Sequence, residues 1–357
     1  MLNYFIRKIA YSVFVFLGVV TAIFFLFNVL PGDSSRMLMG QRSDISSLEA
    51  IRADLGLNQP LYVRYIKYLD DLSPISGYSK NSDSFFYFDT TKYKSTIKLL
   101  ETKTNILVIK PPYLQRSFQS KKDVSEILKE TFGNTFILAL AAIVLASVIG
   151  IVLGVLAAIF KSSVYDKSII VFTSFGMSLP SFFAAILMAW LLAFKWGEYT
   201  HLNITGNFLV LDDYGVQVER QWRNIILPAI TLGIRPLSVV LQLARNSMLE
   251  VLSQDYIRTA RAKGLNNRTI IYKHALKNAM NPVITSISGW LASMMAGVVF
   301  VEFIFGWKGL GYVIVEGVNN YDIPVVMGVV LLISIIFVII TLLVDLIYVK
   351  LDPRVKY

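Results

Sequence analysis

The residues from Glu250 to Pro282, EVLSQDYIRTARAKGLNNRTIIYKHALKNAMNP, form the longest polar interruption in the second half of an otherwise apolar chain. Six basic residues (Arg258, Arg261, Lys263, Arg268, Lys273, Lys277) outnumber two acidic ones, Glu250 and Asp255. Such side chains suit docking, against lipid head groups or a partner's surface. Gly264 sits between two segments that each pattern as helix, and glycine permits a backbone conformation that other residues would strain. Downstream, Ile271, Ala275 and Ala279 recur one turn apart, as do Tyr272, Leu276 and Met280, while Lys273 and Lys277 share another face. One face can then pack on apolar helices while the turn projects. Ala260 and Ala262 leave room for a partner's groove, and Leu265 offers an apolar knob. On the residues alone two readings stand: a basic loop held at lipid head groups, and a docking element for a soluble partner.

Few other charges lie within apolar stretches. Arg235, beside Pro236, falls about ten residues into one of them. A charge at that depth is costly and faces a cavity or a partner. It lines a substrate path and meets a carboxylate, or Pro236 breaks the helix and Arg235 snorkels or pairs structurally. Glu302 and Asp345 lie near the ends of two later stretches, where capping or pairing is the expected role; Arg245 and Glu250 flank another end and read as anchors.

Bond-making chemistry finds no support. There is no G-x-x-x-x-G-K-[ST], so no P-loop for ATP, and no His-Glu-x-x-His. With no Cys and only His201 and His274, thiolate and His-rich metal sites are excluded, as is a Cys nucleophile. Ser residues occur in the apolar stretches without a base placed to activate them. No catalytic residue, metal ligand or cofactor is assigned.

The elements that position these residues are membrane spans. Over 357 residues, 55% are hydrophobic and 16% charged, with a mean hydropathy of +0.58, which excludes an ordinary soluble domain. The net charge of +10 would suggest nucleic acid in a soluble chain; here the basic residues flank apolar runs, and membrane topology explains them. Six spans are expected, near 9–30, 134–160, 168–194, 225–249, 283–305 and 325–349. The first follows Arg7 and Lys8 like a signal peptide, but its length and lack of a small-x-small site before Pro31 mark a retained helix. Arg7, Lys8, Lys161, Lys167, the six loop residues, Lys350, Arg354 and Lys356 fall on one set of flanks, against Lys195, Arg220, Arg223 and Lys308 on the alternate short connections. The first set is expected to be cytoplasmic, with both termini inside. The chain thus divides into a first helix at 1–30, an extracytoplasmic region at 31–130, a five-helix core at 131–349 containing the loop 250–282, and a tail at 350–357. Within 31–130, LEAIRADLGLNQPLYVRYIKYLDDL reads as short helices broken at Gly56 and Pro60, and the alternation in 76–110 predicts strands. Gly150, Gly154, Ala157 and Ala158 in the second span predict close helix packing.

DYIRTARAKGL at 255–265 followed by HALKNAMNPVI resembles the coupling loop of ABC importer permeases, and in particular the first-permease branch of the oligopeptide, dipeptide and nickel importer family. The resemblance continues through Pro31–Asp33, LGLNQPLYVRYIKYL at 55–69, NTFILALAA from Asn134, ILPAITLG at 226–233, ARNSMLEVL at 244–252, VFVEFIFGWKGLG at 299–311 and LLVDLIYVKLDPRVKY at 342–357. Only about 76–110 and 195–222 lack a counterpart. Arg258-Thr259 stand where the general importer signature has Glu-Ala, and Lys308 stands where the family often has Pro.

The resemblance implies an all-α polytopic fold of type I importer permeases, with six transmembrane helices and an insertion between the first two. It implies an ATP-driven importer of peptides in a bacterial inner membrane, built with a second permease, two cytoplasmic ATP-binding subunits and an external substrate-binding protein. Arg258, Thr259, Ala260, Ala262, Gly264 and Leu265 would then contact an ATP-binding subunit, Arg235 would line the path, and Glu302, Gly309, Gly311 and Asp345 would shape the mouth and frame. The alternatives are nickel or another small solute as cargo, and an ion-gradient-driven transporter, for which inverted repeats and breaks such as Arg235-Pro236 and Ser178-Leu179-Pro180 would speak.

Overall fold

A computed structural model describes residues 2–29, 58–81, 84, 86–89, 92–93, 96–211 and 218–351. Pro31–Asp33, the part of the external helical run before residue 58, and Asp352-Pro353-Arg354 lie outside the described residues. The chain forms two compact units, one of Met1–Ser12, Glu130–Val315 and Ile333–Tyr357, the other of Val13–Lys129 and Glu316–Leu332.

Among the described residues four helices are long and apolar enough to cross a bilayer: α1 (Leu2–Val29), α3 (Val124–Ile159), α6 (Arg223–Leu252) and α11 (Ile323–Leu351). A fifth candidate is bent. The expected third span is two helices, α4 (Val164–Ser178) and α5 (Ser181–Met188), the latter continued by a π-helical stretch Ala189–Lys195, and they meet at 110°. Pro180 explains the break: it lacks an N–H, and the residue before a proline is driven out of the α region. Leu179 is extended, at φ −69° and ψ 125°. The expected fifth span is also divided, into α8 (Leu276–Gly297) and α9 (Val299–Ile304). Thr285, Ser286, Ser288, Gly289 and Ser293 dilute the apolar character of α8, which is not among the four. Pro236, by contrast, does not break its helix. α6 runs through Pro228 and Pro236, both buried, because packed neighbours hold a proline-bearing membrane helix together.

In the first unit α6 is the central post, 67% buried over its apolar window. Gly150 and Gly154 of α3 lie directly on it: a Cβ on Gly154 would come within 2.8 Å of the Ala244 Cβ and 3.1 Å of the Arg245 nitrogen. The small residues therefore do what their spacing predicts, and Ala157 and Ala158 are buried beside them. A core of Leu138, Ala142, Leu227, Met295, Val301 and Trp307 joins α3, α6, α8 and α9.

In the second unit α2 (Leu61–Leu72) begins just after Pro60 and packs Tyr68 with Val20, Ile23 and Phe24 of α1. It is followed by a three-stranded antiparallel sheet, β1 (Ile75–Ser79), β2 (Ile97–Glu101) and β3 (Asn105–Ile109), with β3 central. The alternation in 76–110 thus yields strands. A further ribbon, β4 (Leu209–Leu211) with β5 (Val218–Arg220), lies in the first unit. The fold is therefore not all-α outside its spans. Beneath the three-stranded sheet Lys110 is buried; its Nζ donates to the carbonyls of Asp70 and Asp71 at 2.9 and 2.8 Å. Desolvation holds Lys110 below the usual lysine range, with Asp71 opposing. Asp71 accepts from the Tyr93 hydroxyl at 2.6 Å, and burial pushes that phenol far up.

Candidate coupling site

The loop is built outward from the end of α6. After a turn at Ser253, α7 (Asp255–Ala262) begins, with Asp255 in its first turn suiting the helix dipole. Its end is closed by two backbone bonds: Gly264 N donates to Arg261 O at 2.9 Å and Leu265 N to Ala260 O at 3.3 Å. This double closure needs a left-handed residue, and Gly264 has φ +76°. Asn266 caps the next turn, accepting from Thr269 N at 2.8 Å, and a π-helical stretch, Ile270–Ala275, leads into α8.

One face of the loop is sealed onto the membrane helices. Ile257, Ala260, Ile270, Ala275 and Ala279 pack with Val155 and Ala158 of α3 and Met248 of α6. Ala260 is therefore turned inward, only 8% exposed, and not toward a partner's groove. Ala275 and Ala279 are buried as their spacing predicts, with Ile271, Leu276 and Met280 half-buried against the same core, but the start of the rows departs from it. The π-helical stretch puts Ile270, not Ile271, in register with Ala275, and Tyr272 is exposed. The opposite face carries Arg258, Thr259, Arg261, Ala262, Lys263, Gly264, Leu265 and Arg268, all exposed, as are Lys273 and Lys277. Leu265 is 39% exposed at the tip. The Arg258–Asp255 pair at 3.3 Å is solvated and contributes little.

A second constellation ties this base to the α3–α4 turn. Arg245 of α6 grips Asp166 of α4 with two donors, Nε at 2.5 Å and Nη2 at 2.9 Å. Asp166 also accepts from Ser162 N at 2.9 Å, while its own N–H donates to the Ser163 side chain at 3.2 Å. Ser162 is left-handed, at φ +66°. The sequence marked Arg245 as an anchor and missed Asp166. Ser163-x-x-Asp166 is a helix-start signal, but nothing local names a partner 79 residues away.

Glu302, Gly309 and Gly311, expected at the mouth, do come together. Glu302 is fully buried and accepts from the Thr135 hydroxyl at 2.7 Å, Gly311 N at 2.7 Å and Tyr312 N at 3.2 Å. It thus caps the start of α10 (Leu310–Asn319) from outside that helix. Glu302 crowds Gly309, where a side chain would collide with its carboxylate. Asp345 pairs instead with Lys8, a link between α11 and α1. Arg235 is exposed on α6. Gln242 and Asn246, also exposed, follow at positions seven and eleven residues on, which places them within about 20° of Arg235 around the helix. The sequence reading passed over that stripe, although the spacing was visible.

Residues 150–357 match the family model described as binding-protein-dependent transport system inner membrane component, and residues 1–84 match the N-terminal model of such components. The chain is 30% identical over 370 residues to a dipeptide transport system permease protein, DppB, of Alkalihalophilus pseudofirmus, all of both chains being covered. It is 30% identical to the DppB of Escherichia coli K12, over all of this chain and 99% of that one. A putative peptide transport system permease protein of Brucella abortus is 33% identical, over 99% of this chain and 98% of that one. With its long apolar helices, its sealed basic loop and a match that covers the whole length, this chain belongs to the family of binding-protein-dependent transport system inner membrane components.

Proposed function

We propose that this protein is a membrane-spanning permease of an ATP-driven importer that carries peptides, the cargo named for the relatives above. The observation that carries the reading is the full-length match to dipeptide permeases, joined to a loop that buries one face and leaves the other open. The exposed strip from Arg258 to Leu265 docks a cytoplasmic ATP-binding subunit, with Leu265 as the knob; the surrounding basic residues orient it. Ala260 supports the strip from behind. Six crossings are proposed, with the bent α4–α5 pair as the third and α8–α9 as the fifth. Both termini and the loop lie in the cytoplasm, and the segment between α1 and α3 lies outside, facing the binding protein. A second permease completes the path. The polar stripe of Arg235, Gln242 and Asn246 lines it, because exposed polar side chains on a spanning helix are tolerated beside water or a partner and not beside lipid.

Among the described residues, the bend at Leu179–Pro180 is the feature that fits the alternative of a gradient-driven transporter. Proteoliposomes holding the permease pair decide between them. Uptake should require the ATP-binding subunits and ATP; uptake driven by a proton gradient in their absence would overturn the proposal. In the same system Gly264→Pro and Leu265→Asp should abolish ATP-coupled uptake with membrane insertion intact, and normal uptake by both would remove the docking strip. Arg235→Ala should change transport by about ten-fold, the scale of one lost charged contact of roughly 1.4 kcal/mol. Unchanged affinity and rate would take Arg235 off the path.

A further inference from the structure

The docking strip can transmit a push only if its base is connected to helices that move. Two connections leave it. One is apolar packing: Met248 of α6 and Val155 and Ala158 of α3 share a core with Ile257, Ala260 and Ile270. The other is polar and leads elsewhere. Arg245 lies one turn before Met248 on α6, and it reaches across to Asp166 at the start of α4.

Three details set this ion pair apart from a surface bridge. Both carboxylate oxygens are engaged by a planar guanidinium, the arrangement that fixes direction as well as distance. Asp166 is buried, 2% exposed. The same carboxylate holds the left-handed Ser162 through its N–H, so the α3–α4 turn and α6 are locked through one side chain. Close contact supports the lock. Gly154 of α3 and Gly176 of α4 both lie against α6, where a Cβ on Gly154 would meet Ala244 and one on Gly176 would meet Ser238. From Asp166, α4 runs without interruption to the 110° bend at Leu179–Pro180.

We propose that the Arg245–Asp166 pair is the linkage that carries displacement of the docking strip into α4 and the bent helix pair, with both residues acting as positioning residues for transport. The apolar core holds the strip to α3 and α6; Ile169 of α4 packs on Ala157 and Leu241, and the ion pair fixes the direction in which α4 follows. The inference rests on the reading of the strip as the ATP-binding subunit's dock. A pair that only stabilised the fold would lower ATP hydrolysis and uptake together. A linkage separates them.

The test uses the complete complex of this chain with its second permease, ATP-binding subunits and binding protein, co-expressed and reconstituted in liposomes, with a radiolabelled dipeptide as probe. Subunit content, ATP hydrolysis and uptake are measured for Arg245→Gln, Asp166→Asn and the double variant. The expected result is full subunit content, ATP hydrolysis within about two-fold of wild type, and uptake lower by about ten-fold or more, the scale of one lost bidentate charge-assisted contact. ATP consumed per dipeptide therefore rises. The double variant should be no worse than either single one, because the two act as a unit. Arg245→Lys, which keeps the charge and loses the fork, should fall between, and it serves if the other variants do not accumulate. An unchanged ratio of ATP to dipeptide in these variants, whether both activities persist or fall together, overturns the linkage. Loss of the ATP-binding subunits from Leu265→Asp alone tests the dock separately, so the two ideas fail by different measurements.

Discussion

Two turns in the same unit use one backbone device for opposite ends. At the end of α7, Gly264 N bonds Arg261 O and Leu265 N bonds Ala260 O. At the end of α9, Gly306 N bonds Phe303 O and Trp307 N bonds Glu302 O. Both glycines are left-handed, at φ +76° and +62°. The residue after each glycine is apolar, yet Leu265 is 39% exposed and Trp307 is fully buried. The acceptor of its N–H is a main-chain carbonyl in both, that of Ala260 and that of Glu302. The Gly306 turn is complete within the chain. Trp307 donates its ring N–H to Asn134 O at 3.0 Å, and Glu302 accepts from three donors. The loop turn is complete only on its inner face. Identical backbone closure therefore says nothing of role. What differs between the two is whether the residue beyond the glycine finds its partner in its own chain.

Replacing that residue in both turns gives the sharpest contrast. Trp307→Ala should lower the stability of the purified permease by about 3–5 kcal/mol, the range for truncating a buried aromatic. Leu265→Ala should move it by less than about 0.5 kcal/mol, as at other exposed positions, while reducing ATP-coupled uptake. Thermal unfolding in detergent reads the first quantity and liposome uptake the second. Equal destabilisation by the two would erase the distinction.

Glu302→Ala comes next. It strands Gly311 N, Tyr312 N and the Thr135 hydroxyl, and a buried group left unsatisfied costs about 1–3 kcal/mol. Partial relaxation should hold the total near 3 kcal/mol. Glu302→Gln keeps an acceptor and the shape, so it should cost less. Wild-type melting of Glu302→Ala would show that the Gly306 turn does not depend on this carboxylate.

The two turns were not equally legible. Gly264 was readable because a glycine between two helical patterns has a single economical use, and its left-handed φ follows. The inward turn of Ala260 was not: a small residue suits a tight core and a partner's groove alike, and only the position of Val155 and Met248 decides. Spacing pointed to Ile271 where Ile270 is buried, since a π-helical stretch changes the period without changing composition. Prolines show the same limit. Pro180 ends a helix and Pro236 sits inside one, although both lie within expected spans. The difference lies in neighbours that no local pattern contains. Strands at 75–109 were legible from alternation, whereas the Asp166–Arg245 pair joins residues 79 apart and left only a helix-start signal behind.

The smallest effect bears on the same comparison from the loop's side. Asp255 opens α7 and pairs with Arg258 at 3.3 Å, the two side chains being 94% and 74% exposed. Its value to the fold is a surface pair plus a favourable charge at a helix start, so Asp255→Ala should change stability by at most about 0.5 kcal/mol. Yet Asp255 is one of only two acidic residues in the stretch 250–282 with its six basic ones, and it pairs with Arg258, a residue of the proposed docking face. If that face meets an acidic groove, removing Asp255 should tighten or leave unchanged the retention of the ATP-binding subunits, and the effect should shrink as salt rises, because solvated charges are screened within about 10 Å at 0.1 M. Retention of those subunits after purification at low and high salt reads this directly. Weaker retention in Asp255→Ala would place the carboxylate itself in the contact. The loop's open face would then be mixed in charge, not basic, and Leu265 would have to carry the contrast with Trp307 alone.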